Sequence, residues 1–436
     1  MKPIQVGLLG IGTVGSGTFN VLQRNQPEIQ RRAGRGIAIT MVADLDTARA
    51  QAIVGDVARV VSDARAVIAN PEIDIVVELI GGYGIARALV MEAIAAGKHV
   101  VTANKALLAV HGTEIFAAAR EQGVVVAFEA AVAGGIPIIK SLREGLTANR
   151  IEWIAGIVNG TTNFILSEMR DKGLDFDVVL KQAQALGYAE ADPTFDIEGV
   201  DAAHKTTLMS AIAFGIPVQF DRAYVEGITR LQAADITYAE QLGYRIKLLG
   251  ITRRRANGIE LRVHPTLIPV KRLIANVEGA MNAVMVHGDA VGTTLYYGKG
   301  AGSEATASAV IADLVDITRL HTALPNHRVP HLAFQPDELA ATPILPMDQV
   351  VSSFYLRLQV ADQTGVLARI TAILAGHDIS IDALLQRESA EGEAQTDVII
   401  LTHDTVEGKM NQAIAQMQAL PTVLAPIVRI RKEELN

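Results

Sequence analysis

Residues 4–23 read IQVGLLGIGTVGSGTFNVLQ. The first seven are an apolar, β-branched run closing in glycine, which predicts a buried parallel strand. Gly10, Gly12 and Gly15 follow in G-x-G-x-x-G spacing, and the chain then continues at helical spacing. In such a strand–turn–helix the three glycines meet separate steric demands: a tight bend, close backbone approach to a pyrophosphate, and close helix–strand packing. The helix start at Thr13 and Val14 offers N–H groups to phosphate oxygens. Glycines alone punctuate many loops, but a strand before and a helix after point to a dinucleotide site.

The alternation continues. IAITMVA (37–43), IDIVVELI (73–80), HVVT (99–102) and VVVAFEA (124–130) predict strands, with helical stretches such as 86–97 and 115–123 between them. Residues 1–135 are therefore expected to form an α/β, Rossmann-type doubly wound parallel sheet. Asp44 closes the second strand, where an acid accepts hydrogen bonds from an adenosine ribose and repels a 2′-phosphate. That favours NAD over NADP, with Arg49 softening the preference. Asp44 lies 29 positions after Gly15, beyond the usual ~20, so QPEIQRRAGRG (26–36) is expected to be an extended loop. VTANKALLA (101–109) puts Thr102 and Lys105 at the carboxyl end of the fourth predicted strand, where open α/β sheets bind ligands. The plainer alternative for Lys105 is a surface lysine at a helix start.

Over 136–303 helices give way to clustered strands, the pattern of a mixed α+β domain for substrate binding and dimerisation. Within it GYAEADPTFDIEGVDAAHK (187–205) gathers Glu190, Asp192, Asp196, Glu198 and Asp201, five carboxylates in twelve positions, before Lys205. Such a cluster needs solvation, a cation or a substrate to offset its repulsion. Asp201 and Lys205 share one helix face. Their apolar company, LMSAIAF, predicts burial, and a buried lysine held by a carboxylate is a plausible proton donor. The D-x-[DN]-x-[DN]-G spacing of a calcium loop is absent.

Bulk properties remove other classes. The 436 residues allow about three domains. A net charge of −8 argues against nucleic acid or an anionic membrane as partner. No run approaches the ~20 apolar residues of a spanning helix, so a cytoplasmic location is expected. The chain has no cysteine, which excludes disulfides, thiolate zinc sites and thioester chemistry. Histidines lack zinc-site spacing, and lone ones such as His204 read as structural or surface residues. A helix at 304–320 is expected to return to the nucleotide domain. Residues 321–349 carry five of the fifteen prolines and read as an extended linker. From 350 to 436 the pattern is strand, helix, strand, strand, helix, strand.

The run from Ala183 through Gly187, Asp192, Pro193, Asp196, Gly199 and Asp201 to Lys205 resembles the signature of homoserine dehydrogenases. The likeness extends to GLLGIGTVGSG, VVELIGG, GKHVVTANKALLA, EAAVAGGIPII, GIVNGTTNFIL and GAGSEATASAV, across most of residues 1–320. The resemblance implies NAD- or NADP-dependent interconversion of L-aspartate 4-semialdehyde and L-homoserine. It makes Lys205 the proton donor, has Glu190 and Asp201 hold the substrate, and puts Lys105 near both cofactor and substrate. It also implies cofactor contacts at Gly187 and Gly302, and a monovalent-cation site (Na+ or K+) at Glu129, Val132, Gly134 and Ile136. Ile85 and Ala305 depart from the pattern, each standing where a proline is common. The tail resembles an ACT domain, with Asp362, Gly365, Val366 and Leu367 in its ligand loop. It implies feedback by an amino acid such as L-threonine, and a homodimer or homotetramer. A rival of another class, a non-catalytic ACT-bearing nucleotide sensor, predicts decay of the lysine–carboxylate set. Lys105, Glu190, Asp201 and Lys205 are all present.

Overall fold

The structure, a computed structural model, describes residues 2–386 and 394–436. The chain divides into two compact units: Met1–Gly160, Asp201–Ala223 and Ala280–Thr342 form one, and Thr161–Val200, Tyr224–Gly279 and Pro343–Asn436 the other.

The first unit is built on six strands: β1 (Ile4–Leu9), β2 (Ile37–Ala43), β3 (Arg59–Val61), β4 (Ile75–Glu78), β5 (His99–Thr102) and β6 (Val126–Ala127). All pairs are parallel, in the order β3-β2-β1-β4-β5-β6. The order reverses between β1 and β4, where such sheets open a ligand crevice at the carboxyl ends of their strands. The connecting helices are α1 (Thr13–Arg24), α2 (Gln26–Ala33), α3 (Thr47–Val54), α4 (Ala64–Ala69), α5 (Gly84–Ala95) and α6 (Lys105–Glu121). Ile4, Val6, Leu8, Ile37, Ile39, Ile75 and Val77 form the core with one later helix, Ser303–Leu320. That helix approaches α1 so closely that a Cβ on Gly17 would lie 2.4 Å from Ser303 Oγ.

Two expectations are corrected here. Residues 26–33 form α2, not an extended loop: Pro27 sits in the first turn, where its missing N–H costs nothing. Glu28 pairs with Arg32 at 2.8 Å, and Gly34 ends the helix at φ +83°. A second helix thus fills the spacing between Gly15 and Asp44. The three-residue strand β3 is too short to show a period in the sequence, so HVVT is the fifth strand and not the fourth.

The first unit also holds an antiparallel sheet of Ile151–Ile157, Met281–Gly288 and Gly292–Lys299. In the Val200–Phe214 helix every residue from Asp201 to Phe214 is buried. The proline-rich segment is not a free linker. Arg328 Nη1 donates to the Gly123 carbonyl at 2.7 Å, and His331 Nε2 accepts from Val126 N–H at 3.0 Å while its ring stacks on Phe116.

In the second unit, Tyr244–Arg255 and Gly258–Pro269 form a long antiparallel hairpin. The sheet runs from Gly258–Pro269 through Val428–Lys432, Val351–Ala361 and Gln395–Thr402 to Ile381–Gln386. With the helices Val366–Gly376 and Glu407–Gln418, the tail follows the expected strand–helix order around its own core of Phe354, Leu356, Leu358, Ile370 and Ile400. Its last strand pairs with the hairpin, and buried charges lock the junction. Arg262 donates to Glu433 at 2.6 Å, and Arg431 Nε donates to Glu407 at 2.9 Å. Both arginines are fully buried, so their charge is tolerable only because carboxylates meet it.

Candidate active site

The glycine turn meets two of the three steric demands within the chain itself. Gly10 has φ +90°, and a Cβ there would meet the Leu79 carbonyl at 2.9 Å. A Cβ on Gly15 would meet the Gly10 carbonyl at 2.1 Å, so helix and turn touch only because it is glycine. Gly12 differs: its Cβ would meet nothing within 4 Å. It is also the N-cap of α1 and supplies no side-chain cap, so the N–H groups of the first helical turn, at Thr13 and Val14, face an open cradle. That geometry suits the pyrophosphate of a dinucleotide. Asp44 Oδ2 accepts the Ile11 N–H at 2.8 Å, and Oδ1 accepts from Asp46 N–H. The carboxylate therefore shapes the turn as well as facing it. Ser303 Oγ donates to the Thr13 carbonyl at 2.8 Å, which brings Gly302 (φ +126°) beside the same turn.

These contacts make opposite predictions for two glycines. Gly12→Ala should melt within about 0.5 kcal/mol of wild type, since its Cβ is unopposed. It should nonetheless bind dinucleotide at least ~10-fold more weakly, because the methyl occupies the phosphate approach. Gly15→Ala should destabilise the fold outright. Thermal melts with and without cofactor, and a fluorescence titration, separate the two.

The acid–lysine pair expected on one helix face is present and has a third member. Lys205 Nζ donates to Asp201 Oδ2 at 2.7 Å, and Lys105 Nζ lies 3.1 Å from Oδ1. Lys105 is the first residue of α6 and reaches Asp201 from the far side. Asn159 Nδ2 donates to Asp201 Oδ2 at 2.8 Å, and the Val158 carbonyl accepts from Lys205 Nζ at 2.7 Å. Asp201 and Lys205 are 3% and 9% exposed, so these charges are little screened. Burial alone would raise the Asp201 pKa. The attraction of Lys205 and Lys105, with the hydrogen bonds from Lys205 and Asn159, outweighs it and holds the carboxyl well below the usual range. With both lysines protonated the triad carries one net positive charge, suited to an oxygen that becomes negative. Neighbouring His204 is pushed down to about 4, by burial first and by the two lysines, so it is neutral near pH 7. Its ring packs edge-on against Phe220, the structural role expected of it.

Sequence reasoning missed Glu78 and Asn104 behind Lys105, though it placed Thr102 at this edge. Glu78, wholly buried at the end of β4, accepts from Thr102 Oγ1 at 2.7 Å and from the N–H groups of Ile80 and Gly81. Thr102 Oγ1 accepts from Asn104 N–H at 3.0 Å, and Asn104 caps α6 by accepting from Leu107 N–H. The only signal was an acid closing the apolar run IDIVVE.

The turn 129–136 is buried at Glu129, Val132 and Ile136. Ala133 and Gly134 are both left-handed, at φ +56° and +50°, and an alanine held there costs about 1 kcal/mol. The Glu129 carboxylate accepts from Ile139 and Lys140 N–H, at 2.9 and 2.7 Å, and its pKa is pushed up to about 7 by burial and by Asp313. Those two amides hold the carboxylate in place. Among the described residues no cluster of three His, Asp or Glu fits a metal.

Glu190 and Gly187 belong to the second unit. Glu190 is exposed, and its backbone carbonyl accepts from Gln184 Nε2 at 3.1 Å. The other acids of the cluster have local partners. Asp192 accepts from Thr194 N–H, Asp196 bonds Thr161 Oγ1, and Glu198 accepts from Thr229 Oγ1. In the tail, Asp362, Gly365, Val366 and Leu367 line a cavity of about 220 Å³ with Gln386 and Val398. A cavity of about 480 Å³ lies between α6 and the proline-rich segment. It is lined chiefly by apolar groups, and its arginines are already paired with Asp337 and the carbonyls of Gly123 and Ala323. Size alone does not make it a site.

Comparisons with known proteins identify the family. Residues 137–315 match the family model described as homoserine dehydrogenase, residues 10–129 its NAD binding domain, and residues 354–422 the ACT domain. A homoserine dehydrogenase of Pseudomonas aeruginosa is 61% identical over 442 residues, covering 100% of both chains. One from Neisseria gonorrhoeae is 59% identical over 436 residues, again covering 100% of both. The crystal structure of a homoserine dehydrogenase from Thiobacillus denitrificans superposes with a TM-score of 0.96 at 67% identity, covering 100% of this chain and 99% of that one. An open phosphate cradle, a buried Asp201–Lys205 pair met by Lys105, and full-length likeness converge: the chain belongs to the homoserine dehydrogenase family, an NAD(P)-dependent enzyme with a C-terminal ACT domain.

Proposed function

We propose that the chain reduces L-aspartate 4-semialdehyde to L-homoserine reversibly, with Lys205 as proton donor. The observation that carries this is the buried Lys205–Asp201 pair, joined by the half-buried Lys105. The nicotinamide cofactor, when bound, supplies the hydride to the aldehyde carbon. As charge develops on the carbonyl oxygen, Lys205 gives it a proton and is left as the amine, to be recharged from solvent. Asp201 and the Val158 carbonyl fix the direction of the lysine nitrogen. Lys105 adds a second positive charge, which steadies the oxygen. Glu190 is the carboxylate for the substrate ammonium. Gly10, Gly12, Thr13, Val14, Gly15, Asp44, Thr102, Lys105, Gly187 and Gly302 hold the cofactor, and Asp44 biases the choice towards NAD. The carbonyls of the 129–136 turn hold Na+ or K+.

In this proposal the enzyme is cytoplasmic, a homodimer or homotetramer, and serves threonine, methionine and isoleucine synthesis. An amino acid such as L-threonine binds the loop at Asp362, Gly365, Val366 and Leu367 and feeds back on the rate. The test is the purified protein with L-homoserine and either NAD or NADP, following the reduced cofactor. Turnover supports the proposal, and the faster cofactor tests Asp44. Cofactor binding without reduction would return the sensor as the better account, and a rate unchanged in saturating threonine would remove that effector.

A further inference from the structure

We propose that Glu78 is a positioning residue for this reaction: acting through Thr102 and Asn104, it sets the first turn of α6 and so aims Lys105 at Asp201. The inference rests on the homoserine dehydrogenase activity proposed above. Glu78 and Thr102 are register partners at the ends of β4 and β5, so their side chains stand side by side at the sheet's carboxyl edge. Three neutral donors converge on the carboxylate: the Thr102 hydroxyl at 2.7 Å, Ile80 N–H at 2.8 Å and Gly81 N–H at 3.2 Å. A wholly buried carboxylate held by neutral donors is costly to keep at a strand end. The fold itself asks only for an apolar residue there, as at Ile75, Val76 and Val77.

What the carboxylate secures is a chain of bonds that ends at the chemistry. Thr102 Oγ1, having donated to Glu78, accepts Asn104 N–H at 3.0 Å. Asn104 Oδ1 then caps α6 through Leu107 N–H at 3.0 Å, while its Nδ2 holds the Gly82 carbonyl. Lys105 begins that helix and meets Asp201 at 3.1 Å. On its other side the 79–82 loop abuts the glycine turn, since a Cβ on Gly10 would touch the Leu79 carbonyl oxygen. One acid therefore fixes the helix that carries Lys105 against the phosphate turn.

Glutamine cannot take its place despite equal size. An amide oxygen turned to Ile80 and Gly81 points its NH2 at the Thr102 hydroxyl, which must then give up its donation. Turned the other way, the NH2 faces two backbone donors. Glu78→Gln should lower kcat about 10- to 100-fold, the scale of a small misplacement at a reacting group. The isotope effect with homoserine deuterated at the transferred position should rise, because hydride transfer becomes limiting. Affinity for ADP-ribose, which lacks the nicotinamide, should stay within about twofold per folded molecule. Thr102→Val in the Glu78→Gln background should add little, because the two act through one bond. Labelling of Lys105 by an amine reagent, read by peptide mass spectrometry, should quicken severalfold.

Wild-type rates, isotope effect and Lys105 labelling in Glu78→Gln would overturn the inference. So would activity that falls only in step with ADP-ribose-binding fraction, which marks a purely structural acid. If Glu78→Gln does not fold, Glu78→Asp is judged by the same readouts. The labelling needs no turnover, so it decides the role of Glu78 even if wild type proves inactive with homoserine, a result that would sink the activity alone.

Discussion

Lys205→Ala is expected to cut kcat by roughly 10²–10⁴, the usual share of a positioned general acid. Dinucleotide affinity should stay within about twofold, because the contacts that define the place of Lys205, to Asp201 and the Val158 carbonyl, lie outside the phosphate turn. The variant should fold. Asp201 keeps Lys105 at 3.1 Å and Asn159 at 2.8 Å, so its charge is not stranded. The loss in stability should therefore fall below the roughly 3–5 kcal/mol of a fully broken buried pair. Stopped-flow reduction of cofactor by homoserine, with a parallel cofactor titration, separates the two effects. Full kcat in Lys205→Ala would move the proton donor elsewhere, and Lys105 would be next to test.

Apart from β3, the strands of the nucleotide-binding sheet were legible because each is a short apolar run, and buried parallel strands need little else. The glycine turn was legible because its spacing serves separate steric demands, two of which show as Cβ clashes at Gly10 and Gly15. Asp201 and Lys205 showed as a pair because helical period is local. Lys105 as their partner was not visible, since the bond joins two helices far apart in sequence and no periodicity reports such a contact. Glu78 was hidden for a related reason: its partners gather only when β4 and β5 come into register. The errors had local causes too. The 26–36 loop was inferred from the Gly15–Asp44 spacing alone, whereas Pro27 in a first turn and Gly34 after the last one are how a short helix begins and ends. The proline-rich segment looked like a linker because its composition forbids regular structure, yet composition is silent about docking. Arg328 and His331 use backbone partners to hold it.

Asp201→Asn should cost about 3–5 kcal/mol of stability and roughly 10²–10³ in kcat/KM, through one cause. The substitution keeps the shape and removes the negative charge that Lys105 and Lys205 share. Two buried or half-buried ammonium groups then face each other across a neutral amide. The pH dependence gives the sign. The native Asp201 carboxyl is held below its unfolded value, so its contribution is present above the ordinary carboxylate range. It is lost as pH falls below about 4 and the native carboxylate takes up a proton. Wild type should lose stability over that acid range more steeply than Asp201→Asn, whose amide does not titrate. Adding Lys105→Ala to Asp201→Asn removes one of the two unbalanced charges, and should restore about 1–2 kcal/mol although Lys105→Ala alone destabilises. Chemical denaturation of the four proteins at pH 7 measures that coupling directly. Additive losses would mean that Lys105 and Lys205 do not share Asp201, and the lysine–carboxylate triad would dissolve into two unrelated contacts.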